Sequence, residues 1–411
     1  MKVLFLTDNF PPEGNAPATR TFEHTREWVK MGHDVTVMTG APNFPEGKVF
    51  EGFKNKWFSK EINEGVEVRR VKTYITANEG FFKRTLDFVS FMISSFVFGL
   101  FVRKVDVVIG TSPQFFTVLS AWALAKLKRV PFVFELRDIW PASITAVGAM
   151  KKGLSIRVLE KIEMFLYRQA DLIVSVTHSF KEELIVRGID GNKIVVVLNG
   201  VDLSKFSPHA EKDKDFMHAF GLNEKFVVGY IGTHGLAHAL DKVIECAELM
   251  ASHTNVQFVL AGGGADRNRI VDLVTDKQLT NVTLIPRQEK SKMPQLWSIC
   301  DVSLVSLKNS ELFTTVIPSK IFESMGMGLP ILISCPAGEA TSIVENFEAG
   351  LVIAPESPVN LSKAILELES DREKLNFFKK QSFNAASNFD REALALVMLD
   401  HLLQVVKNSR D

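Results

Sequence analysis

The chain has 411 residues, 46% of them hydrophobic and 23% charged, which is enough apolar material for two domains. Its 48 basic residues balance 48 acidic ones, so the basic surplus of a nucleic-acid-binding protein is absent and no nucleic-acid partner is expected. Cys246, Cys300 and Cys335 are widely spaced and are interpreted as core residues of a reducing compartment, and no histidine cluster predicts a metal site.

The first predicted element is an apolar strand that begins directly after Met1. The run Lys2–Thr7 has no small-residue cleavage site behind it, so it is not typical of a signal peptide. We therefore expect a cytoplasmic chain.

Short β-branched runs alternate with helical patterns along the whole chain, which is typical of parallel sheets covered by helices. A polar, charged stretch around Pro208 interrupts this alternation, and the alternation resumes at Phe226. We therefore predict an α/β protein with two doubly wound domains, residues 1–207 and 208–388, and a last helix in 389–411. Strands of the first domain are predicted at Val3–Thr7, Asp34–Thr39, Val66–Val71, Asp106–Gly110, Pro131–Leu136, Leu172–Val176 and Lys193–Leu198.

Residues 88–102 form an uncharged run with a basic pair on each side, Lys83-Arg84 and Arg103-Lys104. As a helix this run would span about 22 Å, less than the roughly 30 Å of a bilayer's hydrocarbon core. Two alternatives stay open for a helix near 85–103: it covers a sheet, or it lies in a membrane interface with its basic ends on anionic headgroups. A true membrane span is disfavoured by the length.

The second domain carries strands at Phe226–Ile231, Val256–Ala261, Val282–Ile285, Val302–Ser306, Pro330–Ser334 and Leu351–Ile353. Doubly wound sheets bind ligands outside the carboxyl ends of their strands, so the loops after the strands are the candidate sites in both domains.

Two loops of the first domain contain candidate residues. Residues 8–20 include Gly14, Asn15 and Arg20, where the backbone could approach a ligand closely, although turn residues after a strand are often structural. Arg137 and Asp138 follow the fifth strand and are either functional or an internal salt bridge.

Two glycine-rich turns of the second domain are candidate phosphate sites. Gly232, Thr233, His234 and Gly235 follow a strand and precede a helix, and such a turn offers backbone N–H groups to a phosphate. The spacing lacks three dinucleotide glycines, so it does not indicate NAD. The glycine triplet in residues 261–269 indicates either close packing between domains or ligand approach.

Arg287 lies just past a predicted strand, beside Met293 and Leu296. This arrangement suits the phosphates and base of a nucleotide, and a solvated loop is the alternative.

The stretch "VIPSKIFESMGMGLPILISC" predicts a helix start at Pro318 and Ser319, with Ser319 as the cap. Free N–H groups and Lys320 would attract an anion there. Glu323, about one turn further, could accept hydrogen bonds from a diol. Together these residues predict a site for a ribose diphosphate.

At this point the sequence resembles the retaining glycosyltransferases of family four with the GT-B fold, especially those of O-antigen and capsule synthesis. The resemblance covers essentially the whole chain and depends on "PPEGNAPATR", "GHDVTVMTGAPNFPEGKVFEGF", "FELRDIWP", "YIGTHGLAHALDKVIECA" and above all "PSKIFESMGMGLPIL". It is similar to the N-acetyl-L-fucosaminyl transferase subgroup.

The resemblance implies two Rossmann-like domains facing each other across a cleft, with the nucleotide sugar on the second domain. It implies that Glu323 binds the donor ribose, that the Ser319 amides and Lys320 lie by the diphosphate, and that Arg287 meets the nucleotide. The last helix would cross back to the first domain. The donor is a co-substrate, so no bound cofactor is implied.

One family position differs here. The family signature is a glutamate, seven residues and a second glutamate, and Thr315 stands where the first glutamate belongs. Glu311 is an alternative acid. Of the family's Arg-and-Lys pair only Lys242 is present, and His234 or His238 could share its work. Arg137 or Asp138 would replace the family's cleft histidine.

We therefore predict a metal-independent glycosyltransferase that moves a sugar, expected to be an N-acetylated amino sugar, from UDP to a lipid-linked saccharide at the inner membrane surface. Arg137, Asp138 and Glu323 are its predicted catalytic residues. A GT-B-like UDP-sugar 2-epimerase and a non-catalytic nucleotide-sugar binding protein are the alternatives.

Overall fold

The computed structural model describes residues 1–44, 46–76, 81–139, 153–208 and 212–410. These residues form two compact units: unit 1 is Met1–Asn199 with Arg391–Asp411, and unit 2 is Gly200–Asp390. Trp140 and Pro141 of the "FELRDIWP" motif, and residues 209–211 of the polar stretch, lie outside the described residues.

Unit 1 is built on an eight-stranded sheet in the order β3-β4-β2-β1-β5-β6-β7-β8. Its strands are β1 (Lys2–Leu6), β2 (Asp34–Thr39), β3 (Phe58–Asn63), β4 (Val66–Val71), β5 (Val107–Thr111), β6 (Phe132–Leu136), β7 (Leu172–Ser175) and β8 (Ile194–Val196). Its helices include α1 (Ala16–Lys30), α2 (Phe81–Gly99), α3 (Phe115–Lys128), α4 (Leu154–Gln169) and α5 (His178–Val186).

The seven strands predicted for the first domain are confirmed, with ends that differ by one or two residues. The sequence analysis missed β3, which pairs antiparallel with β4 at the edge of the sheet. Its residues, Phe58–Asn63, alternate between exposed and half-buried. An edge strand of this kind has no continuous apolar run, so the pattern used for the buried parallel strands does not detect it.

Unit 2 is built on a six-stranded, all-parallel sheet in the order β11-β10-β9-β12-β13-β14. All six predicted strands are confirmed. They are β9 (Phe226–Ile231), β10 (Val256–Gly262), β11 (Val282–Pro286), β12 (Val302–Ser306), β13 (Ile331–Ser334) and β14 (Gly350–Ile353). Its helices include α6 (Lys214–Ala219), α7 (Leu240–Leu249), α8 (Arg267–Asp276), α9 (Met293–Ser298), α10 (Lys320–Gly326), α11 (Glu339–Asn346), α12 (Pro358–Ser370) and α13 (Arg372–Ala386).

The last helix, α14 (Arg391–Asn408), belongs to unit 1. It packs on α1, where the Trp28 indole N–H donates a hydrogen bond of 2.8 Å to the Ala395 carbonyl. Met398, Leu399 and Leu402 complete this contact in the core of unit 1.

Helix α2 is buried on one face only. Phe91 and Ser95 are fully buried, and the Ser95 hydroxyl lies 3.0 Å from that of Ser120 on α3. Ile93 is nevertheless 55% exposed, and Phe101 just beyond the helix is 70% exposed. Helix α2 therefore covers the sheet and also presents apolar side chains to solvent. None of the helices in the described residues is long and apolar enough to cross a bilayer.

The three cysteines are buried and unpaired, as the sequence predicted for core residues. Burial raises the pKa of the Cys246, Cys300 and Cys335 thiols to about 12, so these side chains are unreactive thiols at neutral pH.

Candidate functional site

The glycine triplet of unit 2 packs against the neighbouring strand-to-helix turn. Gly262 has a φ of +150°, and a Cβ placed there would lie 1.8 Å from the Gly232 carbonyl oxygen. A Cβ on Gly264 would lie 2.5 Å from the His234 carbonyl oxygen. The alternative of close backbone packing therefore holds here, but the packing joins two loops of one unit rather than two domains.

Lys320 is the central side chain of the site in unit 2. It is buried, its Nζ lies 3.4 Å from the centroid of the Tyr230 ring, and no hydrogen-bond acceptor among the described residues reaches the nitrogen. A Cβ on Gly232 would come within 3.2 Å of this Nζ, so the glycine lets the lysine lie against the turn. Burial lowers the pKa of Lys320 to about 7, with Glu323 opposing the shift.

Two histidines surround the same aromatic ring. The rings of His234 and His238 each lie 5.9 Å from that of Tyr230. Burial lowers the pKa of both imidazoles to about 4, with the charge of Arg267 also acting on His234 and that of Lys320 on both. Both histidines are therefore neutral at pH 7 in the ligand-free protein. Lys242 is engaged in an ion pair of 2.7 Å with Glu245.

Glu323 lies on the first turn of α10 and is held by a tryptophan. The Trp297 indole N–H donates a hydrogen bond of 3.2 Å to the Glu323 carboxylate. Glu323 is only partly buried, so the carboxylate stays accessible to a further donor. This geometry suits a carboxylate that is oriented to receive hydroxyl groups.

The start of α10 differs from the prediction in one respect. Ser319 occupies the N-cap position, as predicted, but its side chain makes no capping hydrogen bond within the described part of the chain. Its φ of −60° and ψ of −24° are helical, whereas a capping serine is usually extended. The N–H groups of Ile321 and Phe322 already donate to the Pro318 and Ser319 carbonyls.

Arg287 lies at the edge of the glycine triplet. It is exposed, directly after β11, and its Cβ is 3.6 Å from the position that a Cβ on Gly263 would occupy. Strand β11 pairs with β10, which places Arg287 beside the turn that packs on Gly232.

Thr315 follows a short 3₁₀ turn, Glu311–Thr314, in the loop before α10. Its hydroxyl donates a hydrogen bond of 3.2 Å to the Leu312 carbonyl, and Glu311 is exposed at the beginning of the turn.

The other two residues of the first glycine turn are Thr233, which is exposed, and Gly235, which is half-buried. The Thr233 carbonyl accepts a hydrogen bond of 2.7 Å from the Tyr230 hydroxyl.

In unit 1, Arg20 is a buried residue of a polar network. Its Nε donates to Glu135 at 2.9 Å, and its two terminal nitrogens donate to the Val197 and Leu198 carbonyls at 2.9 and 2.7 Å. All its nitrogens are thus bound inside unit 1, which gives Arg20 a structural role in this state.

The other candidates in the same loop are less constrained. The Asn15 side chain caps α1 by accepting a hydrogen bond of 3.0 Å from the Ala18 N–H. Gly14 is exposed, and a Cβ there would have no atom within 4 Å, so its presence is not required by packing.

Arg137 and Asp138 lie at the carboxyl end of β6. Their backbone N–H groups donate to the Ser112 hydroxyl, which follows β5, at 2.8 and 3.3 Å. Glu135, on the same strand, forms an ion pair with Arg20 at 2.9 Å.

Sequence reasoning missed several residues of these edges. The sequence pattern around Tyr230 and Trp297 is typical of core aromatic residues. Their polar contacts, to Thr233 and Lys320 for Tyr230 and to Glu323 for Trp297, are visible only in the structure. Asp8 lies two residues after β1, and a carboxylate near the end of a strand was a usable signal. Burial and the charge of Asp87 raise the pKa of Asp8 well above its usual value.

In the described ranges, no three His, Cys, Asp or Glu side chains gather as a group that could hold a metal ion.

Two doubly wound α/β units in one chain, the second with a cationic glycine-lined edge, define the GT-B class of fold. Solved structures share this fold over nearly the full length. Sucrose-phosphate synthase of Thermosynechococcus elongatus has a TM-score of 0.77 at 16% identity, covering 99% of each chain. Anabaena HepE in complex with UDP-glucose has a TM-score of 0.74 at 16% identity, covering 98% of this chain and 100% of that one.

The chain belongs to the glycosyltransferases. Residues 18–205 match the family described as Glycosyltransferase Family 4, and residues 212–385 match the family described as Glycosyl transferases group 1. Among curated proteins, it is 26% identical over 367 residues to Escherichia coli WcaI, a glycosyl transferase assigned to colanic acid biosynthesis, covering 87% of this chain and 89% of WcaI. It is 24% identical over 203 residues to Bacillus subtilis TuaH, assigned to teichuronic acid biosynthesis, covering 49% of each chain.

Proposed function

We propose that this glycosyltransferase transfers a sugar from a UDP-sugar to a lipid-linked saccharide during synthesis of a surface polysaccharide. The observation that carries the proposal is the buried Lys320 Nζ, which lies against the Gly232 turn and has no acceptor among the described residues. Burying a cationic nitrogen costs folding free energy unless an anion accepts its hydrogen bonds. Every nucleoside-diphosphate sugar provides such an anion in its diphosphate.

Glu323 supports a nucleotide as the carrier of that diphosphate. It lies three residues after Lys320, with its carboxylate oriented by Trp297. On one helical turn, such a pair can hold a diphosphate and a ribose diol together. The choice of UDP is supported by the likeness to HepE, which was solved with UDP-glucose.

The chemistry requires stabilisation of a leaving diphosphate. As the bond from the anomeric carbon to the UDP oxygen breaks, negative charge develops on the phosphate, and Lys320 and Arg287 supply positive charge for it without a metal. The acceptor hydroxyl forms the new bond to the anomeric carbon, and its proton passes to the departing phosphate. The retaining outcome and the N-acetylated amino sugar are proposed from the family resemblance.

Asp138 and Arg137, at the carboxyl end of β6, are assigned to the acceptor side of the reaction in unit 1. A surface-polysaccharide acceptor is supported by the assigned roles of WcaI and TuaH in colanic acid and teichuronic acid biosynthesis. The apolar side chains exposed on α2 support delivery of this acceptor from the membrane surface.

The test is UDP release from a panel of UDP-sugars, with and without a polyprenyl-diphosphate saccharide, in the presence of EDTA. Acceptor-dependent release, with the anomeric configuration of the product unchanged by NMR, is the expected result. Release without acceptor would indicate the epimerase or a hydrolase, and binding without turnover would indicate the non-catalytic alternative.

Two variants sharpen this test. Glu323→Ala should lose most of the activity, whereas Glu345→Ala, on an exposed position of α11 in the same unit, should not change it. Equal activity of both variants would contradict the placement of the ribose.

A further inference from the structure

Unit 1 contains a buried cluster of charges that is not balanced. Arg20 pairs with Glu135 at 2.9 Å, and Arg391 pairs with Glu23. Arg137 has no such partner: its Nε and Nη1 atoms are shielded from solvent and make no hydrogen bond to any residue that the structure describes. Among the described residues, this cluster therefore contains three guanidinium groups and two ion-paired carboxylates.

A neutral histidine belongs to the same cluster. His24 on α1 is 1% exposed, and both of its ring nitrogens lack a hydrogen-bond partner within the described residues. Burial and the charges of Arg20, Arg391 and Arg137 lower its pKa well below the usual value. His24 therefore adds hydrogen-bonding capacity without compensating the excess positive charge.

Arg137 remains a cation in this environment. Burial lowers the pKa of its guanidinium to about 10, with the carboxylate of Glu135 opposing the shift and the charges of Arg20 and Arg391 adding to it. At neutral pH the group is therefore charged and shielded, yet it is not hydrogen-bonded to the nearby carboxylate. Native structures rarely leave such donors unmatched, and an absent ligand is one explanation.

The position of Arg137 favours a ligand over a packing role. It follows β6 at the carboxyl edge of the sheet, where its N–H is fixed on the Ser112 hydroxyl after β5. Ligands of doubly wound sheets bind at this edge. Arg137 as a whole is partly buried, and its Nε and Nη1 atoms are the shielded part of the residue.

We propose that Arg137, with His24 beside it, forms an anion subsite in unit 1 that binds a phosphate oxyanion of the acceptor. A guanidinium donates charge-assisted hydrogen bonds to phosphate oxygens, and the Nε and Nη1 of Arg137 are donors without an acceptor among the described residues. The assignment to the acceptor rests on the proposed function, in which the donor diphosphate already has its own cation, Lys320, in unit 2. The acceptor class is then a saccharide carried on a phosphate or diphosphate.

The test is calorimetric titration of inorganic pyrophosphate into the full-length protein, without and with saturating UDP. UDP occupies the proposed nucleotide site, so pyrophosphate binding that persists in its presence reports the subsite in unit 1. We expect this binding to weaken about tenfold or more in Arg137→Gln. Arg157→Gln, at an exposed arginine of α4, should bind as the wild type does.

Other outcomes overturn the proposal in distinguishable ways. If UDP displaces all pyrophosphate and Arg137→Gln weakens UDP itself, the subsite belongs to the donor diphosphate. If UDP-independent binding is absent, or is equal in Arg137→Gln and Arg157→Gln, no specific subsite exists. Failure of the proposed function would be seen separately, as absence of UDP binding to the wild type. Circular dichroism of Arg137→Gln, and a second variant Arg137→Lys with intermediate affinity, exclude loss of folding as the cause.

Discussion

The ammonium nitrogen of Lys320 lies 3.4 Å from the centroid of the Tyr230 ring. The aromatic face offers some stabilisation to a cation, but burial opposes the charge and lowers the pKa of Lys320 to about 7. In the ligand-free protein this lysine therefore titrates near neutral pH. An incoming diphosphate would raise its pKa again, so ligand binding and protonation are linked.

The affinity for a UDP-sugar should fall as the pH rises above about 7. Below this value Lys320 is already protonated, and above it each binding event must take up a proton, so the affinity falls by up to about tenfold per pH unit. Calorimetry at pH 6 to 9 in two buffers of different ionisation enthalpy measures both affinity and proton uptake. A flat profile in the wild type, or the same slope in Lys320→Met, would contradict the linkage.

Lys320→Met should stabilise the ligand-free protein while it weakens UDP binding. Removing a buried amine that has no acceptor in the described part of the chain relieves a penalty of about 1–3 kcal/mol at pH 7. Because the pKa in the folded state is lowered, the penalty is complete below pH 7 and declines as the pH rises towards the unfolded-state value. Thermal unfolding at pH 6.5 and 9 measures this trend. Lys292→Met, at an exposed lysine, is the control, and an equal gain there would refute the explanation.

Glu323→Ala should remove the preference for a ribose diol. We expect the wild type to bind UDP about tenfold or more tightly than 2′,3′-dideoxy-UDP, because hydroxyl groups donate to an oriented carboxylate. The preference should vanish in Glu323→Ala and decrease in Trp297→Phe, which loses the 3.2 Å hydrogen bond to Glu323. Competition binding with both nucleotides is the measurement, and an unchanged ratio in Glu323→Ala would place the ribose elsewhere.

Gly262→Ala should destabilise unit 2 by about 3 kcal/mol, because its Cβ would lie 1.8 Å from the Gly232 carbonyl oxygen at a φ of +150°. Gly263→Ala is the matched control in the same triplet. Its Cβ would meet only the Arg287 Cβ at 3.6 Å, and the change in the free energy of unfolding should be within about 0.5 kcal/mol. Chemical denaturation measures the free energy of unfolding of both variants. Equal effects would show that the close packing at Gly262 does not determine the stability of unit 2.

The double variant Ile93→Asn, Phe101→Asn should reduce binding to anionic vesicles by about tenfold or more, because it removes apolar side chains that are 55% and 70% exposed. Val186→Asn changes a side chain that is 87% exposed at the end of α5 and should have no effect. Vesicle co-sedimentation at low and high salt is the measurement. Failure of the wild type to bind vesicles of any composition would remove the membrane surface from the proposal.

Much of the architecture could be read from local patterns. The buried parallel strands are continuous apolar runs, such as β1, where Val3, Leu4 and Leu6 are all fully buried. A run of this kind has no other stable location than a sheet covered on both faces. The loops after those strands then predicted Gly232, Arg287 and Lys320 as site residues before any contact was known.

Other features could not be read because they depend on long-range pairing. Strand β3 is polar, and its place beside α2 is visible only from the stacking of Phe58 on Phe98, whose ring centroids are 5.4 Å apart. Likewise, nothing in the spacing of Arg20 and Glu135, 115 residues apart, predicts that they pair. These partners are selected by packing, which brings together residues whose separation in the chain carries no information.

The sequence by itself determined the two-sheet α/β plan and the glycosyltransferase motif around Lys320 and Glu323, because strand periodicity and helix-start chemistry are local. Only the tertiary structure decided which charges have partners. In the tertiary structure Arg20 pairs with Glu135. The Nε and Nη1 of Arg137 and the Nζ of Lys320 have no acceptor among the described residues, and the Lys320 Nζ lies on the Tyr230 ring. The physical reason is that desolvation and hydrogen bonding depend on the surroundings of a side chain in space, which no residue type or spacing specifies.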